Sequence, residues 1–275
     1  FAADVSVSGD VEFVFNDEET GNSSSTGDAD IRVSASEEMD NGMTVSVYID
    51  FEDENENATS GLNENDSDIT ISGPFGTLDI GNNTDLGGDT FDDVADVAEN
   101  GLGNDLDAAA SVGNSVHFMP NLGVEGLAIA IGYAHGASKD NAVVGYGIQY
   151  TTGGLTVAAG QLSDDSHSND DGTHVSVSYA TGPFYAAYEA RDNTDGTQDK
   201  EETSMALTYN YGPGKLYMEI EDSQASASAE ELTDTVIGAS YELGGAVNMY
   251  LQTIKDESSS TAETDTTTFG VEYSF

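Results

Sequence analysis

Apolar and polar residues alternate one for one along most of the chain, so neighbouring side chains point to opposite sides and the backbone reads as β-strand. In residues 4–15, Val5, Val7, Val11, Phe13 and Phe15 share one parity, and Asp4, Ser6, Ser8, Asp10 and Glu12 share the other. Ile31, Val33 and Ala35 alternate with Arg32, Ser34 and Ser36. After the tight-turn signal Asp40-Asn41-Gly42, Met43, Val45, Val47, Ile49 and Phe51 alternate with Thr44, Ser46, Tyr48, Asp50 and Glu52. The same pattern runs through Ile69 and Ile71, Leu78 and Ile80, and then from Val116 to the terminal Phe269, Val271, Tyr273 and Phe275. It predicts about sixteen strands joined alternately by seven tight turns and eight longer polar loops, the order expected when both termini lie on the tight-turn side. Hairpins throughout make the sheet antiparallel and up-and-down. An open sheet of that width exposes two edges, so closure into a barrel is the stable solution.

One connection is far longer than the rest. Residues 84–113 span about thirty positions, against a usual connection of about 4 to 6. They hold a short helical pattern (Phe91, Val94, Ala95, Ala98, Leu102) and the acids Asp85, Asp89, Asp92, Asp93, Asp96, Glu99, Asp105 and Asp107, without one Lys or Arg. The expectation is a single barrel domain over residues 1–275 in which this loop folds inward and its carboxylates form a pore constriction.

The polar parity is rich in Ser, Thr, Gly, Asp and Glu, too polar to pack a dry interior. A barrel of about sixteen strands leaves an aqueous lumen, which requires the apolar parity to face lipid. Aromatic residues agree: Phe75, Tyr150, Tyr179, Phe184, Tyr209, Tyr211, Tyr241, Tyr273 and Phe275 fall near the tight turns. Phe13, Phe15, Phe51, Tyr133 and Tyr188 fall toward the long loops, giving two girdles at headgroup level. No run approaches the roughly 18 apolar residues of a membrane helix, so a membrane span here is made of strands.

Charge narrows the partners. Six Lys and Arg against 52 Asp and Glu give a formal −46, which disfavours nucleic acid and basic-patch membrane docking and favours cations. Part of that excess fits a solvated, salt-adapted surface. The absence of Cys removes disulfides and zinc-thiolate sites. The start Phe1-Ala2-Ala3-Asp4 has the look of a mature end left by cleavage.

Taken in order, several segments carry a family likeness. They are Val5-Ser6-Val7-Ser8-Gly9-Asp10, Gly73-Pro74-Phe75-Gly76-Thr77-Leu78-Asp79-Ile80-Gly81, the long third loop after the fifth strand, Tyr241-Glu242-Leu243-Gly244-Gly245, and the terminal Val271-Glu272-Tyr273-Ser274-Phe275. On these the whole chain resembles the sixteen-stranded general diffusion porins of Gram-negative outer membranes, most closely the alphaproteobacterial, Rhodobacter-type kind. The resemblance implies a bacterial outer-membrane homotrimer with periplasmic termini, in contact with lipid and lipopolysaccharide. Each subunit would be a water-filled pore for small hydrophilic solutes, narrowed by the third loop opposite a basic wall. The chain departs from that last feature. The strands expected to face the loop supply Arg32 alone beside Asp10, Glu12, Asp50 and Glu52, so the pore is read as negative on both sides and cation-selective.

Crowded carboxylates favour a counter-ion, and oxygen-only ligation suits Ca²⁺ or Mg²⁺. Divalent binding is expected at Asp92, Asp93, Asp96 and Glu99 or in the acidic outer loops, against a diffuse cloud of monovalent ions. No cofactor is required. Catalysis would need a His beside an acid or Ser. His117 and His174 share the polar parity but stand on the sixth and tenth strands and read as solvated wall residues. A substrate-specific channel would need an aromatic slide, for which Tyr48, Tyr185, Tyr217 and Tyr250 are inward but scattered candidates. A soluble salt-adapted β-protein is the remaining alternative.

Overall fold

The computed structural model describes residues 4–19, 21–52, 63–82, 86–99, 114–135, 142–164, 170–195, 198–224, 232–257 and 264–275. The alternation becomes sixteen strands. The first eight are β1 (Asp4–Glu18), β2 (Ser23–Glu38), β3 (Thr44–Glu52), β4 (Asn63–Gly73), β5 (Gly76–Gly81), β6 (Ser115–Pro120), β7 (Leu127–His135) and β8 (Ala142–Thr152). The second eight are β9 (Leu155–Asp164), β10 (Asp170–Thr181), β11 (Phe184–Asp195), β12 (Gln198–Asn210), β13 (Gly214–Gln224), β14 (Leu232–Gly244), β15 (Val247–Asp256) and β16 (Thr264–Ser274). Each pairs antiparallel with its neighbours in sequence, and β1 pairs with β16 to close the barrel. Closure satisfies every ladder edge.

Tight turns follow the glycine signals. Between β8 and β9, Gly153 and Gly154 both have positive φ, 56° and 91°, the conformation that a two-residue hairpin needs if the strands are to keep their right-handed twist.

The two parities separate as the alternation demands. Val5, Phe13, Phe15, Val47, Ile131, Ile148, Leu207 and Leu251 are exposed on the outside. So are the girdle aromatics Tyr150, Tyr179, Phe184, Tyr241, Tyr273 and Phe275 at the tight-turn end and Tyr133 and Tyr188 toward the other. Polar residues of the opposite parity line the bore, including Ser176, Ser178, Glu202, Ser204, Glu219, Gln252 and Thr268. A soluble β-protein would invert this arrangement, because its apolar face must pack away from water. The apolar core is correspondingly small, three clusters between residues 86–97 and the inner wall.

Candidate functional site: a loop laid against one side of the bore

Three clusters place the loop. Leu86 packs with Ala134, Val143 and Leu162 on β7, β8 and β9. Phe91 packs with Ala130 and Ala158 on β7 and β9. Ala95 packs with Ala187 and Ala206 on β11 and β12. Residues 86–99 therefore run along the inner wall from β7 toward β15 and leave the arc β16–β1–β2–β3–β4 open to the bore.

The wall beneath the loop is cleared for backbone contact. A Cβ on Gly132 would lie 2.1 Å from the carbonyl carbon of Leu86, and one on Gly160 would lie 1.9 Å from the oxygen of Gly88. Only glycine admits a second chain that close. Beneath the loop, the inward positions of β7, β8 and β9 include Ala128, Ala130, Gly132, Ala134, Val143, Gly145, Gly147, Ala158, Gly160 and Leu162. Over this part of the wall the parity that is polar elsewhere becomes small and apolar, with Gln149, Thr151 and Thr156 restoring polarity toward the tight turn. That run is visible in the sequence, and the reading of the inner face as dominated by Ser, Thr, Gly, Asp and Glu did not single it out as a docking strip.

Residues 86–99 form turns and bends, with no helix. The helical spacing of Phe91, Val94, Ala95 and Ala98 serves docking instead: Phe91 and Ala95 reach different clusters, and the Val94 carbonyl accepts the Tyr185 hydroxyl at 2.6 Å. Leu102 lies outside the described residues.

Polar anchors complete the attachment. Asp89 accepts the Leu86 N–H at 2.7 Å and shapes the loop's first turn. Arg191 on β11 is buried and bridges two carboxylates, Glu189 on its own strand at 3.0 Å and Asp93 on the loop at 3.2 Å. Asp93 has φ 59°, the left-handed conformation that Asp tolerates better than most residues. Glu219 on β13 receives the N–H groups of Val97 and Ala98 at 3.2 and 3.4 Å. Lys215, on the same strand, donates to the Val97 carbonyl at 2.7 Å and pairs with Glu99 at 3.1 Å. Asn248 on β15 holds the other Glu99 oxygen at 3.1 Å.

The loop carboxylates thus divide. Asp89, Asp93 and Glu99 serve attachment, Asp96 is exposed and Asp92 half-buried, while Asp85, Asp105 and Asp107 lie outside the described residues. Arg191 and Lys215 were legible only as inward residues of the right parity; the long-range partners that make them anchors leave no local signal.

His117 and His174 are not solvated. Both are buried because the loop lies over them: Thr90 Oγ1 is 3.2 Å from His117 Nε2, whose Nδ1 is 3.4 Å from Asp79, and the His174 ring sits against Gly160. Tyr48, Tyr185, Tyr217 and Tyr250 do face inward. Tyr217 lies across Gly238, and Tyr250 across Gly270, with hydroxyls spent on Gln252 and Glu12 at 2.8 Å each. Flat against the wall and capped by polar partners, they form no continuous slide.

Across the bore, register gathers the acids into rows. Glu12 stands opposite Asp28 and Glu272, Asp10 opposite Asp30, and Asp30 opposite Glu52. Arg32 stands opposite Asp50, which stands opposite Asp66. Arg32 Nη2 is 2.5 Å from Asp50 Oδ2, and its guanidinium lies 4.4 Å over the Tyr48 ring. Among the described residues, the group able to bring three carboxylate oxygens within 4.8 Å of one another is Asp28, Asp30 and Glu52 on this wall, and the loop set Asp92, Asp93, Asp96 and Glu99 forms no such group.

The described cations are all in ion pairs. Arg32, Arg191, Lys200, Lys215 and Lys255 are the described members of the chain's six, and each is in an ion pair, with Asp50, Glu189 and Asp93, Glu202, Glu99 and Asp265 respectively.

Comparison with known proteins agrees with this architecture. The family model described as Gram-negative porin matches residues 1–275. A multiply substituted porin of Rh. blastica superposes with a TM-score of 0.80 at 16% identity, covering 98% of this chain and 100% of its own. The anion-selective porin of Comamonas acidovorans gives 0.84 at 15% identity over 100% of both chains. A loop-deleted OmpT, an outer membrane protein of Vibrio cholerae, gives 0.77 at 15% identity, again over 100% of both. No curated relative matches by sequence alone.

Proposed function

Because this chain belongs to the family of Gram-negative porins, diffusion channels of the bacterial outer membrane and not enzymes, we propose that its pore favours cations and passes small hydrophilic solutes without a binding step. The observation that carries the preference is the pairing of every described cation with a carboxylate, together with a wall bearing Asp10, Glu12, Asp28, Asp30, Asp50, Glu52 and Glu272. An anion crossing the narrowed bore meets no uncommitted positive charge among these residues. A cation meets carboxylates on the wall and, at Asp96, on the loop. Fixed charge in a low-dielectric wall focuses potential and raises the local concentration of the opposite sign.

The Comamonas relative is anion-selective on the same fold, so the sign of selectivity belongs to the lining residues and not to the barrel. Residues 84–113 are proposed as the constriction, with Asp85, Asp105 and Asp107 continuing the acidic series. A homotrimer, lipopolysaccharide contact through cations bridging the acidic outer loops, periplasmic termini and Ca²⁺ or Mg²⁺ association at clustered carboxylates belong to the same proposal. They are supported by family membership and by the excess of acids.

Proteoliposome swelling tests it. Vesicles should swell in isosmotic small sugars, and faster in a cationic than in an anionic amino acid of matched size. Equal or reversed rates for the two charged solutes would contradict the assignment.

A further inference from the structure

At the tight-turn end of the bore, beside the Glu99 end of the docked loop, inward side chains line a polar cavity of about 370 Å³, within the range of small-ligand pockets. Its lining is Glu99 of the loop, Asn210 on β12, Lys215 on β13, Ser240 and Glu242 on β14 and Asn248 on β15, with residues 212–214 of the β12–β13 turn at its edge. Backbone bonds hold this frame. The Glu242 N–H donates to the Pro213 carbonyl at 2.7 Å and the Tyr211 N–H to the Gly214 carbonyl at 2.9 Å, while the Tyr211 hydroxyl donates to the Ser240 carbonyl at 2.9 Å. Groups fixed before a ligand arrives lose little freedom on binding it.

Both signs of charge are present, and they are unevenly committed. A lysine ammonium has three N–H donors. Lys215 spends one on the Val97 carbonyl at 2.7 Å and one on Glu99 at 3.1 Å, with the Tyr217 ring centroid 5.0 Å from its nitrogen. A third N–H is left for an acceptor in the cavity. Asn248 holds the second Glu99 oxygen, so that carboxylate is taken from both sides. Glu242 is exposed and pairs with no cation among the described residues. Register sets Lys215 opposite Ser240, two positions from Glu242 on the same face, a diagonal whose Cβ atoms lie about 7–8 Å apart and within reach of long side chains. Glu242 in turn stands opposite Asn248.

Such a pair selects by charge pattern. A bare anion at Lys215 is repelled by Glu99 and Glu242, and a bare cation at Glu242 leaves the third Lys215 N–H unused. A ligand with a carboxylate and an ammonium a few bonds apart satisfies both ends through charge-assisted hydrogen bonds.

We propose that this cavity is a subsite for a small α-amino acid in its zwitterionic form, whose carboxylate accepts from Lys215 and whose ammonium donates to Glu242. The amides of Asn210 and Asn248 are placed for its remaining polar atoms. The inference rests on the porin reading and adds a brief stop to the path, since a solute reaches this cavity only along an open bore.

Single-channel recording in planar bilayers tests it, with alanine, N-acetylalanine and alaninamide as probes. Alanine should produce current interruptions or excess noise that saturate with concentration. N-acetylalanine lacks the ammonium and alaninamide the carboxylate, and events from either should be at least about tenfold shorter, the effect of one lost hydrogen bond to a charged group. The Lys215 end is probed through the ligand because that side chain also anchors the loop. E242Q should shorten alanine events by the same order, and E242D, which keeps the charge, should retain most of their duration. Alanine without effect, events of equal length from either analogue, or E242Q events as long as wild type overturn the subsite. A cation-selective channel indifferent to alanine sinks this inference alone. A channel that favours anions, yet whose alanine events still depend on Glu242, sinks the selectivity reading alone.

Discussion

Arg191 is the residue whose removal should free the loop. Its buried guanidinium meets Glu189 at 3.0 Å and Asp93 at 3.2 Å, and Glu189 is itself only 1% exposed. Substitution R191M keeps most of the side-chain volume and removes the charge. Glu189 is then left buried without its counter-ion, a loss of about 3–5 kcal/mol for one broken partner of such a pair. Since about 1.4 kcal/mol is a factor of ten, the equilibrium between docked and undocked loop should shift by roughly a hundred- to several-thousand-fold if that cost is relieved by opening. The double variant R191M/E189M replaces both charges by apolar groups of similar volume, a change that is often neutral. Hydrogen–deuterium exchange of residues 86–99 is the assay. R191M should accelerate exchange there by that order while the barrel ladders stay protected, and the double variant should restore most of the protection. Unchanged loop exchange in a folded R191M barrel, or a double variant as fast as the single, would refute the latch.

Three further outcomes follow from the same geometry. K215M should loosen the loop far less than R191M, by about 1 kcal/mol in exchange protection, because the Lys215–Glu99 pair is partly exposed and such pairs contribute little. G132V should displace the loop outright, since a side chain there overlaps the Leu86 backbone at 2.1 Å or less; its single-channel conductance should differ from wild type in size or noise, and an identical trace would argue against docking at that strip. Raising ionic strength from about 0.1 M to about 1 M shortens the Debye length from roughly 10 Å to roughly 3 Å, so the cation preference measured by reversal potential should shrink with salt, and an undiminished preference would point away from diffuse fixed charge.

The barrel was legible because period-two alternation is a local property. Val5 to Phe15 and Met43 to Phe51 declare an apolar side whatever they pair with, and tight turns such as Thr152-Gly153-Gly154 set the hairpins. Acidity of the facing wall was equally plain, because parity alone puts Asp10, Glu12, Asp50 and Glu52 inside. The loop's attachment was not. Arg191 and Asp93 are brought together across 98 residues of chain, and nothing near either one announces the other. Helical spacing from Phe91 to Ala98 misled because i, i+3, i+4 and i+7 positions can equally be apolar contacts of an irregular segment stretched over several strands, where tertiary packing outweighs intrinsic propensity. The histidines were misread for the same reason: exposure depended on where residues 86–99 came to rest. A better signal was present in the run of inward Ala and Gly on β7, β8 and β9, which interrupts the polar lining where the loop backbone approaches the wall.

The account turns on a bore acidic on both sides with no unpaired cation among the described residues, and reversal potential in a salt gradient across a planar bilayer measures that most directly. The wild-type channel should favour cations, R32Q should favour them more by removing the open wall's one positive charge among the described residues, and amide replacement of Asp10, Asp30 and Glu52 together should weaken the preference. A wild-type channel that favours anions, or one whose preference ignores both sets of substitutions, would contradict it.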